Sequence, residues 1–197
     1  MVQLGLLKRA VIRRLAMLLN PHGLRLRAGV FRREVGPVGQ EIALHPIMHP
    51  MIDFELQVFA LLQFRDVQRL AEENPDTNTL ALEVGGRPEG YQKSWRVAGN
   101  GDVEPVSLAI YNEVVRSALP FFEKYSEMAF AVDLLSGDRG AEYFPMHDAR
   151  MRRVAVMYGL LAKESEGRSY ISRQPEEMRP DLETLLTKAL AVCSTPS

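Results

Sequence analysis

Two histidines, each followed by a proline, stand four residues apart in "ALHPIMHP", at His45 and His49. On a helix that spacing puts both imidazoles on one face, where they can ligate zinc. Pro46 and Pro50 oppose a helix here, because each pushes its preceding histidine toward extended backbone. A catalytic zinc also needs a third protein ligand, and only His22 and His147 remain among the histidines. The pairs read as punctuation: one is expected to end a strand and the other to open the next, with no metal between them.

Asp53 and Glu55 follow, two residues apart, so on a strand they share one face. Paired acids with His45 nearby would suit a hydrolase or a small-molecule site at one end of a sheet. A solvated strand face is by far the commoner setting for such carboxylates. Nucleophilic catalysis has no G-x-S-x-G elbow to use. Cys193 falls on the apolar stripe of a C-terminal helix, where a cysteine is usually a small buried hydrophobe. "EVGGRPEG" lacks both the P-loop ending and the G-x-G-x-x-G spacing, and reads as a hairpin loop. These residues define no catalytic constellation and call for no cofactor.

Charge is the stronger signal. Residues 1–33 carry Lys8, Arg9, Arg13, Arg14, Arg25, Arg27, Arg32 and Arg33 and no acid. Of 24 basic side chains this leaves 16 against 25 acidic ones in the remainder, a balance of −9. Such asymmetry marks either a surface for an acidic partner or a basic third neutralised by the chain's own acids. Arg25, Arg27, Arg32 and Arg33 are the candidates for contact with an acidic protein surface. Trp95, the one tryptophan, lies beside Lys93 and Arg96 and is either an interface anchor or core. With Phe31 among them, the arginines would also suit single-stranded nucleic acid. A sequence pI near 6.4 lacks the overall drive of typical nucleic-acid binders.

At 197 residues, with 46% hydrophobic and 25% charged side chains, the chain has the length of one domain and the composition of a soluble globular protein. One thiol excludes an internal disulfide and fits a reducing compartment, so a cytoplasmic location is expected. No apolar run approaches the roughly 20 residues that span a bilayer, and residues at the N-terminus offer neither a continuous apolar core nor a small-residue cleavage site, so no secretory signal is expected. That helix covers residues 2–19, with Leu4, Leu7, Val11, Leu15 and Leu18 on one stripe and Arg9 and Arg13 opposite. "NPHG" stops it.

Alternating residues predict strands in "GLRLRAG", "VFRREVG" and "GQEIALHP". "IDFELQVFALLQF" sets Phe54, Leu56, Val58, Ala60 and Leu62 on one face and reads as the central strand. A short helix, "RDVQRLAEEN", and two more strand candidates, "TLALEVGG" and "YQKSWRVAG", precede a helical half from residue 104. There Leu108, Tyr111, Val115 and Leu119 form one stripe, Pro120 interrupts, and Ser126 would cap the next helix. Met151, Val154, Tyr158 and Leu161 line a later helix, and Leu182, Leu185, Leu186, Ala189 and Cys193 the last. The expectation is one helix, an antiparallel sheet of five or six strands over residues 1–103, then helices packed on one face over 104–197.

The run "LNPHGLRLRAGVFRREVG", followed by "GQEIALHP" and "IDFELQVFALL", resembles a bacterial group, domain-of-unknown-function family 4304. That family leads from a helix into a phrase of the type "lkplGFkkkgntFyR", and Gly23, Leu24, Phe31 and Arg32 stand at the matching places. "PFFEKYSEM" is similar to a helix near its C-terminal half. Leu24 replaces an aromatic residue, and arginines replace a lysine cluster. The resemblance implies a single α+β domain and carries no catalytic residues. By analogy with other small bacterial domains it points to a non-enzymatic partner-binding protein, including the immunity type that neutralises toxins.

Overall fold

Apolar residues at three- and four-residue spacing make the first eighteen described residues a helix, and the chain then alternates into strands. The computed structural model describes residues 2–49, 53–71, 78–85 and 93–194. Its elements run α1 (Val2–Leu19), β1 (Arg25–Arg27), β2 (Val30–Val35), β3 (Val38–His49), β4 (Asp53–Phe64), α2 (Arg65–Leu70), β5 (Leu80–Glu83) and β6 (Trp95–Val97). Helices α3 (Val103–Glu113), α4 (Leu119–Tyr125), α5 (Met128–Ser136), α6 (Gly140–Tyr143), α7 (His147–Leu160), α8 (Glu164–Ser172) and α9 (Arg179–Cys193) follow. The fold is α+β, with an antiparallel sheet in the order β1-β2-β3-β4-β5, and β6 also pairing with β4.

By Cα proximity the chain forms two interleaved compact units. One holds Met1–Val35, Gly39–Leu61 and Leu82–Glu123; the other holds Gly36–Val38, Leu62–Ala81 and Lys124–Ser197. Helix α3 falls in the first unit, with β1, β2 and most of β4.

In the first unit α1 packs along α3, reaches β1, and buries Leu7, Val11, Leu15 and Leu19. Leu19 takes the buried place expected of Leu18, which is only partly covered. A single 3-10 turn at Asn20–His22 ends the helix, and Gly23 supplies the left-handed φ of 76° that reverses the chain. Two tight turns then set the register of the sheet. Ala28 and Gly29 both have positive φ (49° and 88°), as a two-residue I′ hairpin requires. Gly36 (φ 57°) followed by Pro37 makes the next reversal.

Alternation along β4 is as expected: Phe54, Leu56, Val58, Ala60 and Leu62 are fully buried. At roughly 1.5–3 kcal/mol for each large apolar side chain, this strand is a major source of stability.

Three expectations about the sheet and α3 are not met. First, β3 does not end at His45 but continues to His49 with Pro46 inside it. Arg33 bonds Gln40 and Arg32 pairs with Glu41, so counting outward places Val30, where β2 begins, across from about residue 43. Pro46 lies beyond the reach of β2, and its missing N–H costs no ladder bond on that side.

Second, β5 and β6 do not form a hairpin with each other. Both pair with the twelve-residue β4, where β6 places Phe54 opposite Val97 and Leu56 opposite Trp95. The Val84 N–H reaches the Val58 carbonyl on the β5 side. The expected hairpin loop falls largely outside the described residues.

Third, the buried stripe of α3 and its continuation is Ser107, Ile110, Val114, Ala118 and Phe122, one position before the expected one. Leu108 and Val115 are exposed. Ser107 is burial-competent because its Oγ donates to the Val103 carbonyl at 2.6 Å. A wide π turn at Val114–Ala118 leads into Pro120, whose missing N–H would break a regular α-helix there.

In the second unit α7 packs along α9, with α2, α5 and α8 against it. Met151, Val154 and Tyr158 are buried as expected, but so are Arg153, Ala155, Val156, Met157 and Gly159: this helix is enclosed nearly all round. Gly159 permits it, since a Cβ there would lie 2.5 Å from the Cβ of Ala189 and 2.8 Å from the Leu186 carbonyl. Ala162 (φ 54°) turns the chain into α8, so the helix lined by Met151, Val154 and Tyr158 ends at Leu160, before Leu161. Helix α5 begins at Met128 with Glu127, not Ser126, at its cap position. Cys193 is exposed rather than buried, its thiol donating to the Leu160 carbonyl at 3.0 Å.

Candidate protein-binding face

The acid-free leader divides into committed and uncommitted cations, all within the first unit. Arg14 donates twice to Glu104 at 2.7 Å, an exposed bidentate pair that holds the Glu104 carboxyl below its usual range. Arg32 pairs with the buried Glu41. Arg33 donates to Gln40 and to the His22 carbonyl, each at 2.6 Å, and its burial lowers its pKa. The His22 ring stands 3.1 Å from the Tyr111 hydroxyl, fixing the start of this bend against α3.

The other five cations, Lys8, Arg9, Arg13, Arg25 and Arg27, have no ion-pair partner among the described residues. Arg9 and Arg13 are exposed on α1, and Arg25 and Arg27 on β1. Of the partner-binding candidates, Arg25 and Arg27 therefore present their guanidiniums to solvent, while Arg32 and Arg33 are held by the sheet.

Trp95 is 7% exposed and belongs to the core. Around it lies a polar clasp not legible from the sequence. Lys93 sits over the indole at 5.3 Å, bonds Glu113 at 2.6 Å, and donates its backbone N–H to Glu83. Burial would raise the Glu113 carboxyl, but hydrogen bonds from Lys93 and Arg116 outweigh it and leave it lowered; burial raises Glu83.

At the end of β4 the acids are likewise engaged. Buried Asp53 pairs with Arg96 from β6. Glu55 accepts from Ser94 on one oxygen and faces His49 Nε2 at 3.3 Å on the other. His45 is exposed and joins neither. The Glu55 carboxylate thus stands between a hydroxyl and an imidazole, one on each oxygen. Among the described residues, no cluster of three or more His, Cys, Asp or Glu is spaced to hold a metal ion.

The second unit holds the residue that sequence reading missed most completely. Arg153 is buried on α7, its guanidinium 3.9 Å from the centre of the Phe144 ring, and it donates to the Asn78 carbonyl. Its neighbour Arg152 donates to the Ala71 carbonyl at 3.0 Å. The pair tie the end of α2 and the approach to β5 to one helix. The signal was an arginine within the apolar run after Met151. A shallow concavity on α9, lined by Glu183, Thr184, Thr187 and Lys188, gathers no convergent ionisable groups beyond one exposed pair of opposite sign.

Among the described residues no helix is long and apolar enough to cross a membrane. No family model, curated protein or solved structure matches this chain.

Proposed function

We propose that the chain is a non-enzymatic, cytoplasmic protein-binding domain of bacterial type, an immunity-like inhibitor, that docks an acidic surface of another protein through Arg9, Arg13, Arg25 and Arg27. The observation that carries this reading is the set of exposed cations in an acid-free leader that have no ion-pair partner among the described residues. Unneutralised charge of one sign steers encounter with a partner of the other and contributes specificity. The test is affinity capture from the native host with the full chain and with Arg9→Glu/Arg13→Glu and Arg25→Glu/Arg27→Glu variants, followed by binding of the purified partner. Loss of an acidic partner on charge reversal supports the reading; equal retention by all three overturns it.

A small-molecule or hydrolytic site around Asp53, Glu55 and His45 is the second reading, favoured by the convergence of Ser94 and His49 on Glu55. It requires a ligand whose affinity falls on Glu55→Gln while binding of the acidic partner is unchanged.

A further inference from the structure

We propose that β1 is a docking edge for an extended acidic segment of the partner, which adds to the sheet as a strand with the pattern acidic, apolar, acidic. The inference rests on the protein-binding reading above and specifies its geometry.

β1 ends the sheet order, and all three of its residues are exposed. Its register pairs Arg25 with Arg32, Leu26 with Phe31 and Arg27 with Val30. In a hairpin with a two-residue turn the flanking pair, here Arg27 and Val30, exchanges both backbone bonds, and the pattern then alternates. Arg25 and Arg27 therefore turn their backbone groups toward β2. Leu26 turns its N–H and C=O outward, with no backbone partner on that side among the described residues. Its side chain, 41% exposed, lies on the face opposite to the two guanidiniums.

An incoming strand that bonds Leu26 would set its flanking residues beside Arg25 and Arg27. Acids there pair with Arg25 and Arg27, which have no ion-pair partner among the described residues, and an apolar residue between them meets Leu26. The same charges repel a second copy of this edge, as arginines on short edge strands do. Single-stranded nucleic acid fits less well: its binding relies on aromatic stacking, and Phe31 and Trp95 are both buried. With one residue supplying the backbone bonds, charge carries much of the affinity, which falls as salt rises.

The experiment uses the full chain and a fluorescein-labelled hexapeptide alternating glutamate and valine, with fluorescence anisotropy as the readout. Comparison peptides carry lysine for glutamate, or N-methyl groups on the valines; an oligothymidine of matched charge is a further arm. Expected are binding of the glutamate peptide, at least tenfold loss on N-methylation, no binding of the lysine peptide, and reversed charge preference in Arg25→Glu/Arg27→Glu. Leu26→Pro, which removes the outward N–H together with the leucine side chain, lowers affinity more than Leu26→Ala, which removes the side chain alone, while both circular dichroism spectra stay unchanged.

Equal binding of the plain and N-methylated peptides overturns strand addition and leaves the acidic-partner reading standing. Failure of the glutamate peptide, with a captured partner still lost on charge reversal, does the same. Failure of the peptide with a partner indifferent to charge reversal overturns both, as does tighter binding of the oligothymidine.

Discussion

Arg25 stands directly across from Arg32 in the β1–β2 pair, and only Arg32 has an acid of its own, the buried Glu41. Like charges directly opposed on a sheet destabilise it. Glu41 neutralises Arg32 and leaves Arg25 and Arg27 as a net positive face. The arrangement predicts two opposite effects of one substitution. Glu41→Gln removes the buried carboxylate and is expected to lower stability by about 1–3 kcal/mol in urea unfolding, while tightening binding of the glutamate peptide. Weaker peptide binding by a folded Glu41→Gln protein would contradict the electrostatic account.

Ala28 holds a left-handed φ of 49° at the first central position of the β1–β2 turn, which costs a side-chain-bearing residue of this kind roughly 1–2 kcal/mol. Ala28→Asn creates the Asn-Gly pair such turns favour. It is expected to raise stability by about 0.5–1 kcal/mol, a Tm increase of about 1–4 °C in a chain of this length. Differential scanning calorimetry checks it, and an unchanged or lower Tm would show that the turn is not strained.

Gly159 and Gly5 make a matched contrast. A Cβ at Gly159 collides with Ala189 and the Leu186 backbone, whereas one at Gly5 meets nothing within 4 Å. Gly159→Ala is expected to destabilise by about 1–3 kcal/mol through overpacking. Gly5→Ala, in an exposed turn of α1, is expected to stabilise by up to about 1 kcal/mol. Chemical denaturation of the two variants decides the matter, and equal effects would mean that α7 and α9 do not approach this closely.

Tyr170 is buried, and that burial pushes its hydroxyl up to about 12 despite the nearby Arg150 and Arg173. The unfolded chain releases the same proton near pH 10. The protonated form is therefore favoured by folding: this contribution to stability is complete below pH 10 and is lost as pH rises toward 12. Tyr170→Phe is expected to flatten the fall in stability across that window. An ultraviolet titration showing Tyr170 ionising near 10 in the folded protein would remove the basis of the prediction.

What could be read from the chain beforehand follows from where one physical signal dominated. β4 was legible because alternation alone decides the two faces of a strand with one buried side, and Phe54 through Leu62 obey it. α1 was legible for the same reason at helical spacing, to within one residue at Leu19. α3 was misread because two stripes fit the same sequence. The larger side chains of Leu108 and Val115 outweighed Ser107 on hydrophobicity, while packing against α1 favoured the smaller set. Pro46 was misread because a proline ends a strand only where a neighbour needs its N–H, and that depends on how far β2 reaches. The clasp around Trp95 and the burial of Arg153 rest on contacts between residues 10–75 positions apart, which no local pattern encodes. The charge asymmetry was visible at once; which arginines were already paired was not.

The most direct measurement of the central claim is amide hydrogen exchange at Leu26, followed by NMR in the full chain with and without the glutamate–valine peptide. The account predicts rapid exchange at Leu26 in the free protein, clear slowing on addition of the peptide, and little change at Arg25 and Arg27, whose amides already face β2. A peptide that binds while the Leu26 amide exchanges as fast as before would contradict it.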